Sequence, residues 1–205
     1  MMRTPIVLAV AVSLLAAGCG RHNPPAPAKS DIYLYADTRQ LVDFVESAAQ
    51  VIELRGIAAA VGEFARPESP WRASPTYLFV YDNAGNCVWH AMRPELIGQN
   101  LMSVRDPLGT PILQTFVDVA RQPQRDASNW VFYMWEEQAD FRPSWKASYI
   151  RKAVAPDGKV YLVGSGLNRF KMEKVFVQQQ VDAAARLLQD RGTQAAFREF
   201  QDPAS

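Results

Sequence analysis

The chain has 205 residues, and its 22 Lys and Arg nearly balance its 21 Asp and Glu, leaving a net charge of +1. Nucleic-acid binding is therefore not expected, because it requires a basic surface. The chain has two His and two Cys and no Cys-x-x-Cys, paired-His, Gly-x-Ser-x-Gly or phosphate-loop motif, so we expect neither an enzyme nor a metal or organic cofactor.

The N-terminus predicts a lipoprotein signal peptide over residues 1–18. Arg3 supplies a positive charge, and the apolar run Ile6–Ala17 is shorter than the roughly 20 residues that span a bilayer. Leu15–Cys19 resembles a lipobox, in which the peptide is cut before Cys19 and this residue carries lipid. The alternative is an ordinary signal peptide that contains a Cys. We expect a lipid-anchored protein of the cell envelope, on the periplasmic face of the outer membrane if the cell is Gram-negative.

A tether and a long helix are predicted next. Residues 19–37 comprise the lipidated Cys and a tether rich in Pro and Ala without apolar periodicity. From Thr38 to Ala65, apolar residues recur at three- and four-residue steps, which predicts a helix. At 1.5 Å per residue it would be about 40 Å long and run along the whole domain.

The segments that follow predict an antiparallel sheet with two further helices. Thr76–Tyr81 and Cys87–Ala91 flank turn residues and read as a hairpin. The remaining predicted elements are a short helix over Ile112–Ala120, strands at Trp130–Trp135, Lys146–Val154 and Val160–Gly166, and a helix over Phe170–Asp190. This order of elements describes an α+β domain.

Several of these segments carry a resemblance to a known family. They are Tyr77–Asp82 with Gly85, Val88 with His90, Leu96–Leu101, Asp106 with Gly109, Val131–Trp135, Lys146–Ile150 and Val163–Gly166. In order and spacing they resemble the single Cache domain, over residues 38–170. The resemblance implies a long N-terminal helix packed on a PAS-like antiparallel sheet, with a small-molecule pocket under its covering loops. It also implies an extracytoplasmic sensor, because Cache domains usually sense ligands for chemoreceptors and histidine kinases.

Five side chains are our candidates for binding a small carboxylate or amino acid: Tyr133, Trp135, Lys146 and Tyr149, with His90 at the rim. Aromatic rings with polar tips beside one cation suit a small anion. Each has an alternative role: Tyr133 and Trp135 as core aromatics, Lys146 as a solvated strand end, and His90 as a structural hydrogen bonder. Lys146 and Tyr149 are three residues apart, so they share a face only if a bulge intervenes or Lys146 precedes the strand. We expect Lys146→Ala to abolish binding with little change in melting temperature.

The end of the chain repeats its beginning. With a shift of 136 positions, Val45–Ala49 aligns with Val181–Ala185, Arg55-Gly56 with Arg191-Gly192, and Glu63-Phe64 with Glu199-Phe200. We interpret residues 171–205 as the opening helix of a second Cache repeat whose sheet is missing, through truncation of the gene or because a partner chain supplies it. Its apolar stripe is expected to pack on the first helix or to mediate dimerisation.

These observations favour one function and leave an alternative. The leading hypothesis is a lipid-anchored Cache sensor or solute-capture protein working beside a separately encoded receptor. The alternative is a structural or interaction lipoprotein whose pocket is filled by its own side chains and whose C-terminal helix docks a partner.

Overall fold

The computed structural model describes residues 27–72, 76–136, 142–168 and 170–201. The predicted signal peptide, the lipidation site at Cys19 and the first part of the tether, residues 20–26, lie outside the described residues. Within these ranges, no helix combines the length and the apolar character needed to cross a membrane.

The described elements are helices around one antiparallel sheet. In chain order they are α1 (Ala36–Arg55), α2 (Ile57–Phe64), β1 (Phe79–Asp82), β2 (Cys87–His90), α3 (Ile112–Arg121), β3 (Ser128–Glu136), β4 (Pro143–Val154), β5 (Val160–Leu167), α4 (Lys174–Arg191) and α5 (Thr193–Gln201). The strand order is β2-β1-β5-β4-β3, and all neighbouring strands are antiparallel. The predicted α+β class, with a long N-terminal helix on a PAS-like sheet and a C-terminal helix, is confirmed.

The sheet separates two hydrophobic cores. One lies under α1 and α2 and includes Leu41, Val45, Ile52, Phe64, Leu78, Val80, Trp130, Tyr149 and Val163. The other lies under α3 and includes Tyr77, Phe79, Tyr81, Leu113, Phe116, Val131, Tyr133, Ile150 and Leu162. Alternate residues of β1 and β3 therefore point to opposite cores, as expected for extended strands buried on both faces.

The first helix is divided at Gly56, whereas the sequence predicted a continuous helix over 38–65. Gly56 has φ 77° and ψ 164°, a backbone region that essentially only Gly adopts. Its N–H donates to the Ile52 carbonyl at 2.9 Å, and its own carbonyl accepts from the Ala60 N–H at 3.1 Å. One helix therefore ends and the next begins around the same residue. The apolar spacing continues across Gly56, which is why periodicity did not reveal the break.

Gly56→Ala is expected to lower the free energy of unfolding by about 1–3 kcal/mol, the cost of placing a Cβ in this backbone region. The loss should come from the backbone, because the nearest atom to the added Cβ, Pro156 Cδ, is 3.9 Å away. Gly62→Ala is the matched control: it lies within α2 with nothing within 4 Å of the added Cβ, and Ala stabilises a helix by about 1 kcal/mol over Gly. Urea unfolding measures both, and equal effects would contradict the assignment of the break to Gly56.

Candidate ligand-binding site

A small cavity lies between the sheet and α3. It is lined by Tyr77, Phe79, Tyr81, His90, Ile112, Leu113, Phe116, Tyr133, Trp135 and Lys146. Its volume is about 10 Å³, which is room for roughly one water molecule. Four of the five predicted site residues line this cavity, but the side chains around it nearly fill it.

Lys146 is the only cationic side chain among the residues that line the cavity, and it is 1% exposed. Its Nζ donates a hydrogen bond to the Tyr77 hydroxyl at 2.7 Å and lies 4.2 Å from the centre of the Tyr77 ring. Burial lowers the pKa of Lys146 to about 7, and no acidic side chain of the described residues counters this shift. The ammonium therefore has aromatic and hydroxyl partners in this cavity but no carboxylate.

A glycine in the neighbouring strand makes room for the Lys146 side chain. Gly166 of β5 pairs with Ser148 of β4, and a Cβ on Gly166 would lie 2.6 Å from Lys146 Cε and would also clash with Ser148 Oγ. With Gly at this position, the lysine stem passes close to the β5 backbone, and its Nζ lies over the Tyr77 ring. A Gly inside an apolar strand often marks such a close approach.

His90 and Tyr133 complete the polar lining. His90 is buried rather than at the rim, and its Nδ1 accepts from the backbone N–H groups of Met92 at 3.3 Å and Arg93 at 3.0 Å. The neutral ring therefore carries its proton on Nε2, and burial together with the Lys146 charge lowers the pKa of His90 to about 3. Tyr133 lies opposite Lys146 in the sheet and its hydroxyl is 2.9 Å from Ser148 Oγ.

Tyr149 does not join the other four candidates. β4 pairs residue by residue with β3 and β5 through this region, so Lys146 lies within a regular strand and Tyr149 points to the opposite face. There the Tyr149 hydroxyl donates to Glu46 of α1 at 2.8 Å, and its ring packs against Trp130. The structure contains neither of the two irregularities that would have placed Tyr149 beside Lys146.

The burial of Lys146 also changes two expectations made for it. It is not a solvated residue at a strand end, since its strand begins at Pro143. Truncating a fully buried side chain leaves a cavity, and this typically costs a few kcal/mol. An unchanged melting temperature is therefore no longer expected for Lys146→Ala.

A larger, open groove of about 550 Å³ adjoins the cavity and shares Ile112 and Trp135 with it. Arg93 lies in this groove and pairs with Glu95 and, at 3.3 Å, with Glu136. The half-buried Trp135 side chain thus lies between the closed cavity and the open groove. In the part of the chain that the structure describes, no three His, Cys, Asp or Glu side chains cluster as a metal site requires.

Sequence reasoning missed Tyr77 as the partner of Lys146, and the α3 residues Leu113 and Phe116 as walls. The two-residue spacing of Tyr77, Phe79 and Tyr81 indicates that they share one face of an extended segment. It did not show that this face is the one occupied by Lys146, because that depends on the pairing of β1 with β5 and of β5 with β4.

Comparison with known proteins finds a matching family and a similar protein. The Cache domain family matches residues 71–173. The methyl-accepting chemotaxis protein McpP of Pseudomonas putida KT2440 is 30% identical over 108 residues, which are 53% of this chain but only 19% of that protein.

Two solved structures share the fold. The periplasmic sensor domain of a chemotaxis protein is 29% identical with a TM-score of 0.50, covering 67% of this chain and 100% of the other. A Cache chemosensory domain, described as a structural basis for carboxylic acid recognition, is 21% identical with a TM-score of 0.51, covering 66% of this chain and 95% of the other.

Proposed function

This chain belongs to the Cache domain family, and on that premise we propose that it is an extracytoplasmic sensor or solute-capture domain that binds a small carboxylate beside Lys146. One observation carries the proposal: a fully buried lysine lies in an aromatic cavity without an acidic partner among the described residues. A buried ammonium is costly unless it is paired, and a ligand carboxylate would supply the missing partner.

The lining residues have distinct roles in this proposal. Lys146 Nζ donates to one ligand oxygen, and the hydroxyl of Tyr77, which already accepts from Nζ, donates its own proton to the carboxylate. The Nε2–H of His90 and the hydroxyl of Tyr133 are the other polar groups that line the cavity. Phe79, Leu113 and Phe116 form the apolar walls around a short alkyl group.

The lining favours a simple carboxylate over an amino acid. None of the ten described residues that line the cavity is acidic, so among them the ammonium group of an amino acid would have no charged partner. The volume of about 10 Å³ holds about one water molecule, so even a small carboxylate requires the surrounding side chains to move apart. A ligand would enter from the groove as the Trp135 side chain rotates, because this residue lines both spaces.

Acetate and propionate are expected to raise the melting temperature of the purified protein, while glycine and benzoate at the same concentrations do not. A ligand that binds only the folded state stabilises it in proportion to its saturation. Glycine tests the unpaired ammonium, and benzoate tests the size of the cavity. A thermal-shift titration confirmed by calorimetry measures all four. If none of a wider series of small carboxylates gave a shift, the nearly filled cavity would instead favour the structural or interaction function.

The affinity for carboxylate is expected to fall about tenfold per pH unit above roughly pH 7. The pKa of Lys146 is about 7 without ligand, so above this pH the lysine is neutral and binding must take up a proton. His90, with a pKa of about 3, stays neutral between pH 6 and 9, and Tyr77, with a pKa that burial raises to about 12, stays protonated. Calorimetry in buffers of different ionisation enthalpy measures the proton uptake. An affinity independent of pH from 6 to 9 would contradict pairing with Lys146.

We also propose that Cys19 carries a lipid anchor, supported by the lipobox-like segment Leu15–Cys19. The anchor would hold the sensor at a membrane surface, where a separately encoded receptor can contact it. In cells, the protein is expected to partition into the detergent phase of Triton X-114, and Cys19→Ser should move it to the aqueous phase. Equal partitioning of both proteins would contradict lipidation.

A further inference from the structure

The sequence repeat at the C-terminus is also a repeat of backbone geometry. Gly192 has φ 75° and ψ 163°, against 77° and 164° at Gly56. The Gly192 N–H donates to the Leu188 carbonyl at 3.1 Å, and the Gly192 carbonyl accepts from the Ala196 N–H at 3.1 Å. Around Gly56 the same two hydrogen bonds join Gly56 to Ile52 and to Ala60, and each of these positions is shifted by 136 from its counterpart. The pair α4–α5 is therefore built like α1–α2.

A side-chain contact is repeated in the same register. Arg55 of α1 pairs with Glu63 of α2 across the first break, and Arg191 of α4 pairs with Glu199 of α5 at 2.9 Å across the second. Ala196 is fully buried, as Ala60 is at the matching position. The backbone geometry at the glycine, the ion pair and the buried alanine are therefore the same in α1–α2 and in α4–α5.

The two helix pairs differ in what covers their apolar side. In α1–α2 the residues Leu41, Val45, Ile52 and Phe64 are buried against the sheet. Their counterparts Val177, Val181, Leu188 and Phe200 are 53%, 61%, 37% and 43% exposed, and Phe197 is 53% exposed. We call these five residues the α4–α5 stripe. The expected packing of this helix on α1 is therefore not observed along the stripe.

The start of α4 is anchored to the domain. Phe176 is buried against Trp130, with the ring centres 4.8 Å apart, and Glu173 just before α4 accepts from the Leu34 N–H at 2.6 Å. In the next turn, the Gln179 side chain hydrogen-bonds with Tyr33. From Val181 to Arg191, no residue of α4 is buried.

The sheet of this protein is not available to the stripe. One sheet face is covered by α1 and α2 and the other by α3. The α1 face also requires two carboxylates, because the buried Arg151 pairs with Glu46 and Glu53. At the matching positions α4 has Asp182, which is shorter, and Gln189, which is uncharged. Exchange of α4–α5 for α1–α2 on the sheet of a second copy would leave Arg151 poorly neutralised.

The stripe has the form of a helix–helix seam. Two α1 residues that widen its apolar face, Val42 and Phe44, correspond to Gln178 and Gln180 in α4. Four apolar residues on this side of α4, Val177, Val181, Ala184 and Leu188, are separated by steps of four, three and four residues, and Leu187 lies beside the last of them. Steps of three and four residues are typical of helices that pair along a seam. The charged residues Asp182, Arg186 and Asp190 lie on the other side of α4.

We propose that the α4–α5 stripe is the interface through which two copies of this chain pair, stripe against stripe, about a twofold axis. A twofold interface uses the same patch on both copies, and here the patch is apolar in its centre and flanked by uncharged Gln178 and Gln180. Pairing covers the exposed apolar residues and leaves the ligand cavity, on the α3 side of the sheet, unobstructed.

Val181→Glu in the Cys19→Ser full-length chain tests the interface. Val181 lies at the centre of the stripe and is mostly exposed, so the variant should retain its circular dichroism spectrum and melting profile. The parent protein is expected to sediment with twice the mass of one chain, and Val181→Glu as a single chain. Arg186→Glu is the matched control on the charged side of α4 and should stay dimeric. A second variant, Val181→Cys, should form a disulfide between copies, and Arg186→Cys should not.

Two outcomes would overturn the proposal. A parent protein that sediments as a single chain at all accessible concentrations would mean that something else covers the stripe, such as the sheet of another Cache module. A dimer that survives Val181→Glu would place the interface elsewhere on the domain.

Discussion

Lys146→Met is expected to weaken carboxylate binding by at least about 30-fold, because loss of one partner from a desolvated charge pair typically costs 2–5 kcal/mol. The same variant should stabilise the ligand-free protein at pH 7. Burial lowers the pKa of Lys146 from 10.5 to about 7, and each tenfold change in an ionisation constant corresponds to about 1.4 kcal/mol. Met has a similar length without the amine, so most of this cost disappears, less about 1 kcal/mol for the lost hydrogen bond to Tyr77. We expect a net gain of about 2–4 kcal/mol.

Weaker carboxylate binding together with a higher free energy of unfolding would identify Lys146 as a ligand-binding residue whose burial destabilises the ligand-free protein. Calorimetry measures the first quantity and urea unfolding the second. Lys159→Met is the control, since Lys159 is exposed beside the turn before β5 and forms a surface ion pair with Asp157, so both quantities should stay nearly unchanged. Retained carboxylate affinity in Lys146→Met would refute the proposed site, and a large loss of stability would make Lys146 a structural residue.

The stability of the ligand-free parent should also rise between about pH 7 and pH 9, because the unfolded chain holds the Lys146 proton to a higher pH than the folded one. This pH dependence should be weaker in Lys146→Met.

The strands and their faces could be predicted because alternation is a local property. Tyr77, Phe79 and Tyr81 on one side of β1, and Tyr133 and Trp135 on one side of β3, point to the α3 core as their spacing indicates. What joins these residues into one cavity is not local. Tyr77 reaches Lys146 only because β5 lies between β1 and β4 in the sheet, and nothing in the spacing of either segment specifies that order.

The burial of Lys146 could not be predicted from the sequence, for a different reason. Lysine is almost never fully buried, so a lysine in a strand is first assigned to solvent. The sequence did contain a signal in Gly166, whose missing side chain leaves the space that the lysine stem occupies. For Tyr149, the two-residue period of a strand correctly predicts the face opposite to Lys146. A position beside Lys146 would require an irregularity that β4 does not have.

The glycines that the sequence repeat shares also mark the two helix breaks. Arg55-Gly56 and Arg191-Gly192 are among the residues that the two copies of the sequence repeat share. Glycine after the last helical residue is also a common helix end, and both glycines have that role here. Apolar periodicity masked the ends because α2 and α5 resume in a register that keeps the same side apolar.

Arg151→Met is expected to lower the free energy of unfolding by about 3–5 kcal/mol, the usual cost of breaking a buried ion pair from one side. Arg151 is 5% exposed and joins β4 to α1, with its Nε 3.2 Å from Glu46 and its Nη1 hydrogen-bonded to Glu53. Without the guanidinium, Glu53 loses its contact with β4, and Glu46 keeps Lys29 at 3.3 Å and the Tyr149 hydroxyl as partners.

The triple variant Arg151→Met, Glu46→Gln and Glu53→Gln separates the charge effect from the packing effect. It should recover most of the lost stability, because replacing a whole buried ionic group is far less costly than removing one member. Arg121→Met is the surface control: Arg121 pairs with Asp118 at 2.6 Å with both side chains more than half exposed, and such pairs contribute at most about 1 kcal/mol. If the triple variant were no more stable in urea than Arg151→Met alone, the stability would reside in the packing of the arginine stem. The lack of matching carboxylates in α4 would then not explain why this sheet face is covered by α1 and not by α4.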